Sequence, residues 1–321
     1  MGIPSPMTKE LASEALQIFK AAGHSDLDTA IMYQGGQTEV TLGELQVGSS
    51  VKVAIKANPW YRDGKTFDDP VAGLEPAQLK EQVRTSLKHL KLDKAQLLYL
   101  HAPDHVTPIR DTLSALHDLH KEGLFEQWGL SNYASWQVVD IYHLCKAMNM
   151  PPPSVYQARR KGNPALFGMY NAVTREVEKE LLPALRHCGM QFYAYNPLAG
   201  GVLTGKWRYD DQPQSGRFNI NTVWGNRYRE RFWQRPLFDA LERVRRACDA
   251  HATTPTAASL RWLLHHGALR DGDGVIIGGS SVEQVAQNAA ACAEGPLPSD
   301  VVAALDDAWL AARGNCPLYF R

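Results

Sequence analysis

The sequence predicts an α/β protein, a (β/α)8 barrel (TIM barrel) whose first strand is missing from the chain. Three observations predict it. Short apolar strands alternate with amphipathic helices from end to end, a pattern that makes βαβ units and a parallel sheet. Seven strands can be counted, and the chain opens on a helix rather than on a strand. Polar residues gather at the carboxyl ends of those strands, the rim on which such barrels carry their sites. A barrel of this kind takes about 250 residues as a single core, so the 321 residues fit one domain spanning 1–321. An open doubly wound sheet would also give seven strands, but no Gly-x-Gly-x-x-Gly turn follows any of them.

The elements follow in order. Residues 8–22 form a helix, with Leu11, Ala15, Leu16 and Phe19 at helical spacing and Gly23 as its stop. A strand at 27–30 carries Asp28; Tyr33 comes five residues later, then Gly35, Gly36 and Glu39, an acid able to begin a helix. A second strand covers 51–57. The loop 58–75 leads to a helix that starts at Pro76 and sets Leu79, Val83, Leu87 and Leu90 on one face. A third strand, 96–101, precedes a helix running from Asp111, read as its N-cap, to Gly123. The fourth strand is 126–132. Ser135 then caps a helix bearing Val138, Val139, Tyr142 and Cys145, and three prolines from Pro151 break it. The fifth strand is 154–157. A helix at 174–188 ends at Gly189, and strand 191–197 follows. Helices at 237–251 and 256–266, a strand at 274–278 and helices at 282–292 and 299–313 complete the chain. Two stretches exceed the usual connections of about 2–6 residues. One is 205–236, a long loop rich in aromatic residues and arginine; the other is 158–167, directly after the fifth strand.

Composition narrows the function. Lys+Arg and Asp+Glu both number 34, so the net charge is zero and gives no support for nucleic-acid binding. No run of about 18 apolar residues is present, so no membrane span is expected. The amino terminus lacks a basic-then-apolar signal pattern. The five cysteines are scattered, without metal-ligand spacing, and read as free thiols in a reducing, cytoplasmic setting.

Four residues at successive strand ends suit one reaction. A phenol releases its proton near pH ~10 unless tuned, and an adjacent ammonium stabilises the phenolate. A carboxylate beside that lysine keeps it charged and in place, and a histidine can orient a carbonyl or share its proton. Asp28, Tyr33, Lys56 and His101 supply those parts, for protonating a carbonyl oxygen while a hydride arrives at carbon. Each has an ordinary alternative: Asp28 as a helix cap or ion-pair member, Tyr33 as a core aromatic, Lys56 as a solvated strand-end lysine, His101 as a core histidine. All four alternatives would have to hold together on one rim. No second histidine or cysteine stands at ligand spacing, so no metal is expected.

The chain resembles the aldo-keto reductases, in particular their aflatoxin-aldehyde and succinic-semialdehyde reductase subfamily. The matching residues are Leu27-Asp28-Thr29-Ala30 with Tyr33, Lys56-Ala57-Asn58-Pro59-Trp60, Leu100-His101-Ala102-Pro103-Asp104-His105, Gly129-Leu130-Ser131-Asn132-Tyr133, Tyr195-Asn196-Pro197-Leu198-Ala199-Gly200-Gly201, and, at the carboxyl end, Cys316-Pro317 with Tyr319-Phe320-Arg321. The resemblance implies a barrel that binds NADPH without a Rossmann motif and reduces an aldehyde or ketone to an alcohol. It implies Tyr33 as general acid, Lys56 and Asp28 as its tuners, and His101 at the substrate carbonyl. Ser131, Asn132 and Gln157 would hold the nicotinamide carboxamide, with Tyr195 stacked on the ring. Asn196, Leu198, Gly201 and Lys206 would wrap the pyrophosphate. Ser280, Ser281, Gln284, Gln287 and Asn288 would hold the adenosine end, with Arg217 nearby. Tyr228, Arg231 and Arg321 would line the substrate mouth, where arginines favour substrates bearing a carboxylate. Members of the subfamily tend to form homodimers.

Two departures from the family stand out. Its first barrel strand is absent, and 158–167 is inserted at the rim after Gln157, either as a lid or as retained non-coding sequence. A catalytically impaired NADPH-binding regulatory protein on the same scaffold is therefore the alternative function.

Overall fold

The computed structural model describes residues 7–66, 71–157, 169–316 and 319–320. At its centre lies a parallel sheet of β1 (Asp26–Asp28), β2 (Lys52–Ala57), β3 (Ala95–Leu100), β4 (Phe125–Ser131), β5 (Val155–Gln157), β6 (Gln191–Ala194) and β7 (Gly274–Val275). These strands are hydrogen-bonded in chain order, with β1 and β7 at the edges among the described residues. The sheet curls into a half-barrel, the α/β architecture that the strand–helix alternation predicts. The helices are α1 (Lys9–Ala21), α2 (Gln37–Glu44), α3 (Pro76–Leu90), α4 (Ile109–Lys121), α5 (Ser135–Ala147), α6 (Leu181–His187), α7 (Val223–Phe232), α8 (Arg235–Ala250), α9 (Pro255–His265), α10 (Val282–Cys292) and α11 (Ser299–Ala312).

The two faces of the sheet are chemically different, because side chains alternate along each strand. Val53, Ile55, Ala57, Leu98, Leu100, Trp128, Leu130, Tyr156 and Phe192 belong to one buried apolar layer with the helices. The register places Ala54 beside Leu97, Lys56 beside Tyr99, Tyr99 beside Gly129, and Gly129 beside Val155. On this other face Leu97, Tyr99 and Val155 make a separate small cluster. Lys56 therefore sits on the inner face, away from Val53 and Ile55, and is buried there.

Several boundaries differ from the sequence pattern, each for a local reason. The helix over 174–188 divides into a 3-10 turn, Glu176–Glu178, and α6. Pro183 lacks the N–H that a helix interior requires, so it falls in the first turn of a new helix, where that N–H is not needed. Asp111 is not an N-cap: α4 begins at Ile109 after Pro108, and Asp111 lies in its first turn, where a negative charge complements the dipole. Ser135 is likewise the first helical residue rather than the cap, and the Ala134 N–H donates to Gln137 Oε1 at 2.9 Å. Strand β7 is two residues long, although Ile276 N–H still donates to Ala194 O at 2.8 Å. The 58–75 loop contains a short hairpin, Tyr61–Arg62 with Lys65–Thr66. The 205–236 stretch is not all loop. It holds α7, capped where the Gly225 N–H donates to the Thr222 hydroxyl at 2.9 Å. The 158–167 insertion lies outside the described residues. Among those described, no helix is long and apolar enough to cross a membrane.

Gly129 lets β4 accept its neighbours. A Cβ there would stand 2.4 Å from Val155 O and 3.0 Å from the Tyr99 ring. Gly129→Ala should therefore push β4 and β5 apart and destabilise the protein by about 1–3 kcal/mol, the usual penalty of overpacking. Urea unfolding measures this.

Candidate active site

Parallel strands bring all carboxyl ends to one rim. Asp28 closes β1, Lys56 is the next-to-last residue of β2, His101 follows β3, Ser131 closes β4, Gln157 closes β5 and Tyr195 follows β6. Tyr33 begins a left-handed turn through Gln34, Gly35 and Gly36 that carries the chain from the rim into α2.

The Lys56 side chain is wholly buried. Its ammonium donates to the Asp28 carboxylate in an ion pair, to Thr29 O at 2.9 Å and to the Tyr33 hydroxyl at 3.3 Å. Those three bonds use all three of its donors. Burial pulls the Lys56 ammonium toward losing its proton; the charge and hydrogen bond of Asp28, and then the charge of Glu39, hold the proton on. The His101 ring stands 6.3 Å from that of Tyr33, edge to face, and 5.9 Å from that of Trp60. The structure thus brings Asp28, Tyr33, Lys56 and His101 together.

The predicted coenzyme residues continue from this group. Gln157 Nε2 donates to Asp28 Oδ2 at 2.7 Å, which leaves its carbonyl oxygen to accept. Ser131 and Gln157 are register partners across β4 and β5. Asn132 Nδ2 donates to His101 O at 2.6 Å and to the Ser131 hydroxyl at 2.8 Å. Its Oδ1 is buried and has no hydrogen-bond partner among the described residues. Asn196 adopts a left-handed backbone, and its Oδ1 accepts from Gly200 N–H at 2.7 Å. Gly201 is half-buried and Lys206 exposed in the segment that follows. Leu198 packs on an apolar cluster with Ala257, Leu260 and Ala291. Ser281 caps α10, Ser280 donates twice to Gln284 Oε1, and Asn288 Nδ2 donates to Gly278 O at 2.9 Å. Gln287 is exposed. The Arg217 guanidinium is exposed and lies 5.9 Å from the centre of the Tyr228 ring.

Among the predicted substrate residues, Tyr228 and Arg231 are both buried on α7, with the Arg231 guanidinium 5.0 Å over the Tyr228 ring. Burial lowers the Arg231 pKa to about 10, against the pull of Tyr228 and then Tyr195, so it stays charged at neutral pH. Gly200 permits this packing. A Cβ there would stand 2.6 Å from the Tyr228 ring, so the turn after β6 and helix α7 fit only with glycine. Arg321 lies outside the described residues.

Two residues beside the site were not foreseen. Trp60 has no role that the sequence pattern assigns, yet its ring packs edge-on against His101. Glu39, read only as an acid that begins a helix, is fully buried and interacts with Lys56. The available signal was its spacing from Tyr33, six residues on and across one tight turn.

The chain is similar to known proteins along most of its length. The Aldo/keto reductase family model matches residues 1–310. Aflatoxin B1 aldehyde reductase member 2 of Mus musculus is 47% identical, over 98% of this chain and 84% of its own length. Aflatoxin B1 aldehyde reductase member 4 of Homo sapiens is 44% identical, over 98% and 93% respectively. Aldo-keto reductase pigE of Monascus ruber is 34% identical, over 95% and 88%. The chain therefore belongs to the aldo/keto reductase family, and is an oxidoreductase of carbonyl compounds that uses a nicotinamide coenzyme.

Proposed function

We propose that the protein reduces an aldehyde or ketone to the alcohol, taking hydride from NADPH and the proton from the Tyr33 hydroxyl. The observation that carries this reading is the buried Lys56 ammonium, donating at once to Asp28 and to the Tyr33 oxygen. A positive charge 3.3 Å from that oxygen stabilises the phenolate left when the proton passes to the carbonyl oxygen. Asp28 keeps the ammonium charged and aimed. His101, with Trp60 against its ring, stands beside Tyr33 to orient the carbonyl oxygen between them.

The residues present fit a nicotinamide. A carboxamide offers both a donor and an acceptor, and the rim offers the unsatisfied Asn132 Oδ1 and the accepting Gln157 oxygen beside the Ser131 hydroxyl. When bound, the coenzyme supplies the hydride. At the far end, Ser281 opens an eleven-residue helix whose free amides and dipole favour phosphate. Lys206 and Arg217 add exposed positive charge. NADPH, rather than NADH, follows the family's typical preference.

The relatives' names point to aldehydes as substrates. Arg231, charged and shielded from water, adds a preference for aldehydes that carry a carboxylate.

Two variants test these roles. Tyr33→Phe should reduce turnover of 2-carboxybenzaldehyde by about 10²-fold or more while NADPH still quenches protein fluorescence. Loss of both activities, or of neither, contradicts the assignment, and wild-type protein that binds NADPH without turning over any carbonyl compound points to the regulatory alternative. Arg231→Leu should raise KM for 2-carboxybenzaldehyde by about 10–100-fold, the loss of a hydrogen bond between charged groups, and leave benzaldehyde nearly unchanged. Steady-state kinetics on the pair of substrates reads the difference.

A further inference from the structure

Glu39 lies in the first turn of α2, immediately beyond the turn that carries Tyr33. It is wholly out of solvent, and the Ser86 hydroxyl is the hydrogen-bonding group beside its carboxyl. A buried acid so sparsely partnered is costly in its charged form, and therefore calls for a reason. The groups that face it are Lys56 from β2 and Ser86 and His89 from α3; beyond Lys56 stand Asp28 of β1 and Tyr33. His89 Nδ1 is 3.9 Å from Glu39 Oε2, and the His89 side chain is half-exposed, so it stands between the carboxyl group and solvent. The enclosure is tight. A Cβ on Gly43 would stand 2.0 Å from His89 O, so α2 and α3 leave no space there for even one more methyl group.

Lys56 has already committed its donors to Asp28, Thr29 and Tyr33, so Glu39 reaches it through charge rather than contact. Burial raises the Glu39 carboxyl to about 7, opposed by the Ser86 hydroxyl and then by Lys56. Its charge thus changes within the range in which enzymes commonly work.

We infer that Glu39 is a positioning residue for the proton donor: a second carboxyl group that, once ionised, joins Asp28 in keeping the Lys56 ammonium charged beside Tyr33, with His89 as its opening to solvent. This deepens the proposed function and rests on Tyr33 being the acid. Removing a negative charge from behind the Lys56–Tyr33 pair lets that pair release its proton at lower pH. The same burial has a consequence for stability. The folded protein keeps the Glu39 proton up to about pH 7, whereas the unfolded chain gives it up near the ordinary carboxylate value. Ionisation therefore works against folding as pH rises through that interval.

The test measures single-turnover NADPH oxidation with 2-carboxybenzaldehyde from pH 5 to 10 in wild type, Glu39→Gln and Tyr33→Phe, together with thermal unfolding at pH 5 and pH 8. In Glu39→Gln the basic limb of the rate profile should move down by about one pH unit, the lower end of the effect of a neighbouring charge. Its melting temperature relative to wild type should be higher at pH 8 than at pH 5. Glu39→Met, charge-free and of similar length, serves if the glutamine variant does not fold, with the same shift expected. A folded charge-free variant whose profile differs from wild type by a constant factor only, or whose relative melting temperature is the same at both pH values, overturns the inference. If Tyr33→Phe is as active as wild type, the general-acid reading fails instead, and the two failures are told apart.

Discussion

A buried ammonium is among the most demanding groups a fold can contain. Lys56 has no access to water and no spare donor, so everything within reach of it must be polar, correctly aimed and held in place. The β1 strand exists at this point to bring Asp28 and the Thr29 carbonyl to it. The left-handed turn after β1 brings the Tyr33 oxygen. Glu39 brings a second carboxyl group from the helix behind, buried with it. What makes Lys56 costly to bury is also what makes it useful, because in a low dielectric its charge acts strongly on a phenol 3.3 Å away.

The sheet separates this polar requirement from the requirement for a core. Its outer face is a continuous layer of Val, Ile, Leu and aromatic side chains against the helices. Its inner face is sparse, with Tyr99 resting against Gly129 and the polar rim above. Stability is thus built mainly on one side of the strands and chemistry on the other. The hydrogen bond from Gln157 to Asp28 links the two ends of the site, so the group proposed to hold the coenzyme carboxamide also braces the carboxylate that holds Lys56. The packing of Tyr228 on Gly200 makes a similar link between the turn after β6 and the helix that carries Arg231.

Much of this was legible in the sequence. Strand periodicity alone puts Asp28, Lys56, His101, Ser131 and Gln157 at strand ends, and parallel strands bring those ends to one rim. What stayed hidden depends on contacts between elements. Nothing local distinguishes Glu39 from an acid that begins a solvent-exposed helix. The buried polar stripe Gln78, Gln82 and Ser86 on α3 looks like an ordinary outer face, yet Gln82 holds the backbone of Asn58 and Gly73 beside the site. Helix α7 was missed because its buried members, Tyr228, Arg231 and Phe232, do not make a clean apolar stripe. Within 174–188, Pro183 is the sign of a new first turn, which begins at Leu181. The coenzyme residues proposed beyond β6 follow from family resemblance rather than from spacing, and Leu198, which packs among apolar side chains, shows how little its position alone reveals.

The central claim is that the charge of Lys56, rather than the mere presence of Tyr33, drives proton delivery to the carbonyl. Stopped-flow single-turnover oxidation of bound NADPH by Lys56→Met at pH 7 tests it most directly. NADPH should still bind while carbonyl reduction slows by about 10²-fold or more. Reduction at the wild-type rate in that variant would contradict it.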